Sequence, residues 1–287
     1  MKISLTTLGS DPEFFVLDPK NKPYPATNFA EGTKENPKNI KQLGSGFFEQ
    51  RDNVSFEGNI PPCYNKEAFV KNMLLLRNYF SEKVGKFGYS LSDNGVEYFD
   101  KRFLALPEAQ EFGCSSVISA WDSSKTYSSK RPTPNLSRYK FRVSGFHIHI
   151  GYELLTNRFS TSEMKLLVVR LFDLFLSLPS QIIKPEPERI QTYGHWGMFR
   201  DKPYGVECRT LSSYFSTEKY LPWVWDQIVK IETFINTAKE QDLKILVQYP
   251  HIVGNTNTGL EDVFRFLFGK FSSRDCLNSF EEIKRFV

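Results

Sequence analysis

The sequence predicts an α+β protein built on a mostly antiparallel sheet, and three observations carry that prediction. Strand-like and helix-like segments do not alternate regularly along the 287 residues, which argues against a doubly wound parallel sheet. Several short segments place ionisable residues on alternate positions, so that side chains at i and i+2 share a face. Longer segments carry apolar residues at helical spacing.

The first strand lies around Gly9-Ser10-Asp11-Pro12-Glu13-Phe14-Phe15-Val16, where Asp11 and Glu13 share one parity. Pro12 offers no N–H, so the strand is expected at a sheet edge or locally irregular there. A Pro/Asn/Lys-rich loop runs from Asp18 to about Lys41. A second strand region covers Gly46 to Ile60 and ends at Pro61-Pro62. Within it Val54, Phe56 and Gly58 share one face, and Ser55, Glu57 and Asn59 the other. A helix is expected from Lys66 to Val84, with Phe69, Met73, Leu76 and Phe80 in its apolar stripe. The segment 115–134 is rich in Ser, Lys, Thr and Pro and reads as a lid or insertion. A strand covers Arg142 to Tyr152. A helix capped at Ser160 or Thr161, with Glu163 following, is expected to run to Leu178 and stop at Pro179. A Gly/aromatic segment leads into a strand from Gly205 to Ser213. Helices at Thr217 to Lys239 and Leu260 to Phe271 close the chain, which reads as a single domain over 1–287.

Composition narrows the class. A net charge of +4 is too mild to imply nucleic acid and fits anionic ligands. The basic residues between 124 and 142 keep nucleic acid open as a partner, although such runs are more often a solvated face. Cys63, Cys114, Cys208 and Cys276 form no CxxC pair, so they read as reduced thiols in a cytoplasmic chain. The apolar run near Leu166 to Leu178 is broken by Arg170 and Asp173, which predicts no membrane span. There is no Walker loop, no G-x-G-x-x-G after a strand and no G-x-S-x-G elbow.

The alternating strands carry the chemistry. Carboxylates at i and i+2 lie roughly 6–7 Å apart at the backbone, a spacing suited to two Mg2+ ions about 3.5–4 Å apart. Gly145-Phe146-His147-Ile148-His149-Ile150-Gly151 turns both imidazoles one way and its apolar residues the other. Neutral imidazole binds metal, and a ring donating N–H binds phosphate; a half-buried pair bonded to backbone fits the pattern equally well. The flanking Gly145 and Gly151 predict a close approach to the backbone. Glu207 and Arg209 share a face after Arg200, which fits Glu on metal and Arg on phosphate, or simply a cross-strand ion pair.

In this order the segments resemble the glutamine synthetase and glutamate–cysteine ligase superfamily, and within it the phage-type carboxylate–amine ligases, type 2. Gly9 to Asp18 resembles the glutamine synthetase strand G-x-E-P-E-F-F-L-F-D, with Asp11 where those enzymes have Glu. Gly145 to Gly151 resembles the ligase motif G-x-H-V-H-V-G. Trp196-Gly197-Met198-Phe199-Arg200 through Val206-Glu207-Cys208-Arg209 resembles W-G-x-x-R…V-E-x-R, and Asp52 to Pro62 is similar to the phage-type element. The motifs span 9–213; the C-terminal helices, 217–287, carry none.

The resemblance implies a curved sheet with helices on its outer face, and ATP with two or three Mg2+ ions, replaceable by Mn2+, on the inner one. It implies that Asp11, His147 and Glu207 share one metal and that Glu13 and Glu57 hold another. It also implies that His149, Arg200 and Arg209 contact the transferring phosphoryl group. Asp52 is favoured over Glu49 as the further carboxylate, and as acceptor of the amine's proton. The implied activity is an ATP-dependent ligase joining a small-molecule or peptide carboxylate to an amine through an acyl phosphate. The alternatives are a phosphotransferase on the same fold and a non-catalytic nucleotide-binding protein.

Overall fold

The computed structural model describes residues 2–110, 118–121, 135–155 and 159–248. The second expected C-terminal helix, Leu260 to Phe271, and most of the expected lid at 115–134 lie outside these residues.

The strands of the main sheet are β1 (Ile3–Phe14), β2 (Lys38–Asn39), β3 (Phe48–Asp52), β4 (Ser55–Asn59), β5 (Ile118–Ser119), β6 (Phe146–Leu154), β7 (Met198–Lys202) and β8 (Gly205–Cys208). They lie in the order β2-β3-β4-β1-β6-β8-β7-β5, with every neighbour antiparallel. The class is therefore α+β with a large antiparallel sheet. The 12-residue β1 is a central strand, so Pro12 is not at an edge. It sits instead where the ladder to β4 is interrupted. Leu8 bridges Cys63 and the Ile60 N–H donates to the Ser10 carbonyl; regular pairing resumes at Glu13 with Glu57. The missing proline donor falls in that gap.

Alternation divides the sheet into two faces. Phe14, Phe56, Phe146, Ile148, Ile150, Phe199 and Val206 are buried on one of them. Helix α1 (Lys66–Gly85) covers that face at β4, where Phe80 stacks on Phe56 at 4.5 Å. Each such ring contributes roughly 1.5–3 kcal/mol by burial. Gly58 permits the close approach, because a Cβ there would lie 2.8 Å from both Leu76 and Phe80. Helix α2 (Thr161–Phe172) opens with a capping box, in which the Ser160 hydroxyl accepts from the Glu163 N–H and Glu163 accepts from the Ser160 N–H.

The expected stop at Pro179 is not found. A π-turn over Asp173–Ser177 follows α2, and α3 (Leu178–Ile183) continues with Pro179 in its first turn. A proline there blocks no hydrogen bond that the helix needs. The run Thr161–Ile183 is long and apolar enough to cross a membrane, yet 83% of its most apolar window is buried inside the protein. Arg170 and Asp173, two of the four charged residues in that run, are buried and hydrogen-bonded. After α4 (Pro187–Thr192), helix α5 (Leu221–Thr237) packs against α1 and β1, and α6 (Glu240–Gln248) against α2.

Candidate active site

The opposite face of the sheet gathers the charged residues, and strand register sets them in rows. Asp11 is paired with His147. Glu13 is paired with Glu57, and Glu57 with Gln50. Gly9, His149, Glu207 and Arg200 form a third row across four strands. Above this floor lies a cleft of about 620 Å³ lined by Asp11, Lys34, Asp52, Glu57, Arg200 and Arg209 among others.

At one end the carboxyls are crowded and dry. Burial, reinforced by Asp52, raises the Glu13 carboxyl to about 7 against the Gly145 N–H that donates to it at 2.7 Å. Burial, then Asp52, Glu13 and Asp11, pushes Glu57 well above the usual carboxylate range. Gln50 donates to Glu57 at 2.6 Å. Burial, then Arg209, drives His147 well below the usual histidine range, so the ring is neutral. Its Nε2 lies 3.0 Å from the Tyr193 hydroxyl and 3.6 Å from Glu13. Two buried atoms here, Asp52 Oδ1 and His147 Nδ1, have no hydrogen-bond partner.

The other end is cationic. Burial alone would raise Glu207, but Arg209, His149, Arg200 and Lys202 outweigh it and hold the carboxyl at about 2. Arg209 and Lys202 pair with it directly, Lys202 at 2.7 Å, and Arg200 stands 3.4 Å away. His149 is held between Asp11 at 2.8 Å and the Tyr204 hydroxyl at 2.5 Å. Asn59 donates to the other Asp11 oxygen at 2.8 Å.

Two sets of ligand atoms each lie within 4.8 Å of one another: Asp11, Glu57 and His147, and Asp11, His149 and Glu207. Asp11 belongs to both. This differs from the division that the resemblance implies. His149 is the register partner of Glu207, so it joins that carboxylate, while His147 lies one row nearer Glu57. Glu13 stands beside His147. Raised carboxyls, a neutral imidazole and the unpartnered buried Asp52 Oδ1 together describe a pocket short of positive charge, and the mixed carboxylate and imidazole donors suit a divalent ion such as Mn2+ or Mg2+.

Asp52 faces the cleft, 2.8 Å from Lys34. Glu49 points the other way and pairs with Lys83 of α1 at 2.6 Å, because it is one position out of phase with Gln50 and Asp52. Gly145 and Gly151 are closely approached, as expected, by side chains of this chain. A Cβ at Gly145 would strike the His147 ring, and one at Gly151 the Thr6 and Thr7 hydroxyls. Arg142, counted in the basic run, is buried and donates to the Ala109, Tyr139 and Phe141 carbonyls. Sequence reasoning missed Lys34, Lys202 and Tyr204 as site residues, and left Tyr193 in a segment that fits a ligand-shaping loop or an aromatic core equally. The 193–197 loop divides its roles. Tyr193 bonds both His147 and Arg209, while Gly194 and Gly197, at positive φ, fit against Arg189 and Trp121.

Sheet and cleft define an α+β protein with acids, imidazoles and guanidiniums on one polar face. Residues 137–245 match the family model described as Phage phiEco32-like COOH.NH2 ligase-type 2. That segment, well under half of the chain, holds His147, His149, Arg200, Glu207 and Arg209; pairing of β1 with β6 brings Asp11 and Glu13 to it. Among solved structures, one described as a novel glutamine synthase homolog is 10% identical with a TM-score of 0.41. The alignment covers 99% of this chain, which spans 66% of that one. No curated protein sequence matches the chain.

Proposed function

We propose that the protein is an ATP- and Mg2+-dependent carboxylate–amine ligase working through an acyl phosphate. The observation that carries this reading is the convergence of Asp11, Glu57, His147, His149 and Glu207 into two adjoining ligand sets beside Arg200 and Arg209. The match of residues 137–245 to a ligase family supports it.

Mg2+, when bound, supplies charge neutralisation for the nucleotide phosphates. Asp11, Glu57 and His147 would hold one ion, and Asp11, His149 and Glu207 a second, with Glu13 adjoining the first. Arg200 and Arg209 lie at the cleft wall, where their forks can take the oxygens of the transferring phosphoryl group. A substrate carboxylate oxygen attacks the γ-phosphorus, ADP leaves, and an acyl phosphate forms. An amine then attacks the acyl carbon and inorganic phosphate leaves. Free amines have pKa values of about 8 to 10.4, so the nucleophile must lose a proton. Asp52 Oδ1, buried and without a hydrogen-bond partner, is the acceptor this chain offers.

The test is ADP release across acid–amine pairs, with the product weighed by intact mass. ADP release should need both substrates, and Glu207→Gln should abolish it. A stable phosphorylated product formed without amine would identify a phosphotransferase instead. Full activity in Glu207→Gln would remove the metal assignment.

A further inference from the structure

We propose that Lys34 is a resident counter-ion of the carboxylate pocket, and that a divalent metal entering the pocket displaces its ammonium. The inference rests on the metal reading above and concerns a residue that no motif contains.

The Lys34 ammonium lies 2.8 Å from Asp52 Oδ2 and lines the same cleft as Asp11 and Glu57. Its field also acts on Glu57 and Glu13. With Arg209 it is a positive charge set against the end of the site where three carboxyls meet. A dication entering that end would meet an ammonium lining the same cleft as its ligands Asp11 and Glu57, and the two cations repel.

The Glu207 half keeps one cation that is sealed in: the Arg209 side chain is 2% exposed, while Lys202 and Arg200 beside it are 27% and 29% exposed. The Lys34 side chain is 35% exposed, on the solvent side of the cleft.

The turn that carries Lys34 is stiff. Thr33 and Asn36 exchange backbone hydrogen bonds at 3.1 Å, and Gly32 bridges Pro37. Gly32, at φ +85°, is seated so closely that a Cβ would lie 2.6 Å from the Lys38 nitrogen and 2.7 Å from the Glu49 carbonyl oxygen. Rotation of the lysine side chain, rather than movement of the loop, is therefore the route by which its ammonium would leave Asp52. Metal loading and Lys34 seating are then competing events, and competition of this kind alters affinity by about 5- to 150-fold.

The experiment is a calorimetric Mn2+ titration of the full chain as wild type, Lys34→Met and Lys34→Arg, paired with lysine acylation footprinting. The Lys34→Met chain should bind Mn2+ at least fivefold more tightly, and Lys34→Arg should stay near wild type. In the wild type, Mn2+ should speed acylation of Lys34 while leaving the exposed Lys71 unchanged. Equal Mn2+ affinity in the Met variant, or acylation of Lys34 that Mn2+ slows or leaves unaltered, overturns the inference and leaves the metal site standing. Failure of every chain to bind Mn2+ overturns the metal reading and this inference with it. The footprint needs only the wild type, so it decides the matter even if Lys34→Met does not fold.

Discussion

Replacing Glu13 with Gln should stabilise the metal-free protein at alkaline pH. Glu13 is 7% exposed, and burial beside Asp52 raises its carboxyl from 4.5 to about 7. Such a group favours folding while it is protonated. That contribution is fully present below about pH 4.5 and is lost as pH rises through about 7. The difference corresponds to about 3 kcal/mol at pH 8. Gln stays neutral at every pH and still offers an oxygen to the Gly145 N–H, so it escapes the loss. Glu13→Gln should therefore unfold about 6–12 °C above wild type at pH 8 in EDTA, at about 2–4 °C per kcal/mol. The two chains should converge near pH 4.5. Saturating Mn2+ should narrow the gap, since an adjoining ion offsets the charge that Glu13 carries in wild type. Thermal unfolding followed by circular dichroism at the two pH values measures this directly. A Glu13→Gln chain less stable than wild type at pH 8 in EDTA, or an offset that does not change with pH, would refute the reasoning.

Other substitutions probe the supports of the site. Tyr193→Phe keeps the ring that Arg189 and Arg209 cover but removes the hydroxyl bonded to His147 and Arg209. It should cost about 1–3 kcal/mol in denaturant unfolding and lower kcat/KM more than tenfold. Asp173, raised to about 7 by burial, accepts from the Trp121 indole at 2.6 Å and from the Gly197 N–H at 2.5 Å. Asp173→Asn should be at least as stable as wild type at pH 8, where the carboxylate is charged, whereas Asp173→Leu strands both donors and should lose about 2–6 kcal/mol. Gly58→Val drives a side chain into Leu76 and Phe80 and should lower stability by about 1–3 kcal/mol, measured by urea titration.

Parity made one face of the sheet legible from sequence, since Asp11 with Glu13, His147 with His149, and Glu207 with Arg209 each follow the two-residue repeat of a strand. Parity could not say which histidine meets which carboxylate. That is fixed by register across β1, β6 and β8, including an irregularity between Leu5 and Thr7, and no local pattern encodes it. The choice between Glu49 and Asp52 is different, because the phase of Gln50, Asp52 and Glu57 already held the answer once β3 and β4 were paired. Lys34 was invisible because it lies in an aperiodic loop, and Tyr193 because an aromatic loop gives no sign of which ring faces a site. Pro179 misled because a π-turn before it moves the proline into a first helical turn.

The central claim is that this face of the sheet holds two adjoining divalent-metal sites sharing Asp11, and the stoichiometry of Mn2+ binding tests it most directly. At pH 8 wild type should bind at least two Mn2+ ions, with one site lost in Glu57→Gln, one in Glu207→Gln and both weakened in Asp11→Asn. Absence of binding at millimolar Mn2+, or full stoichiometry in all three variants, would contradict it.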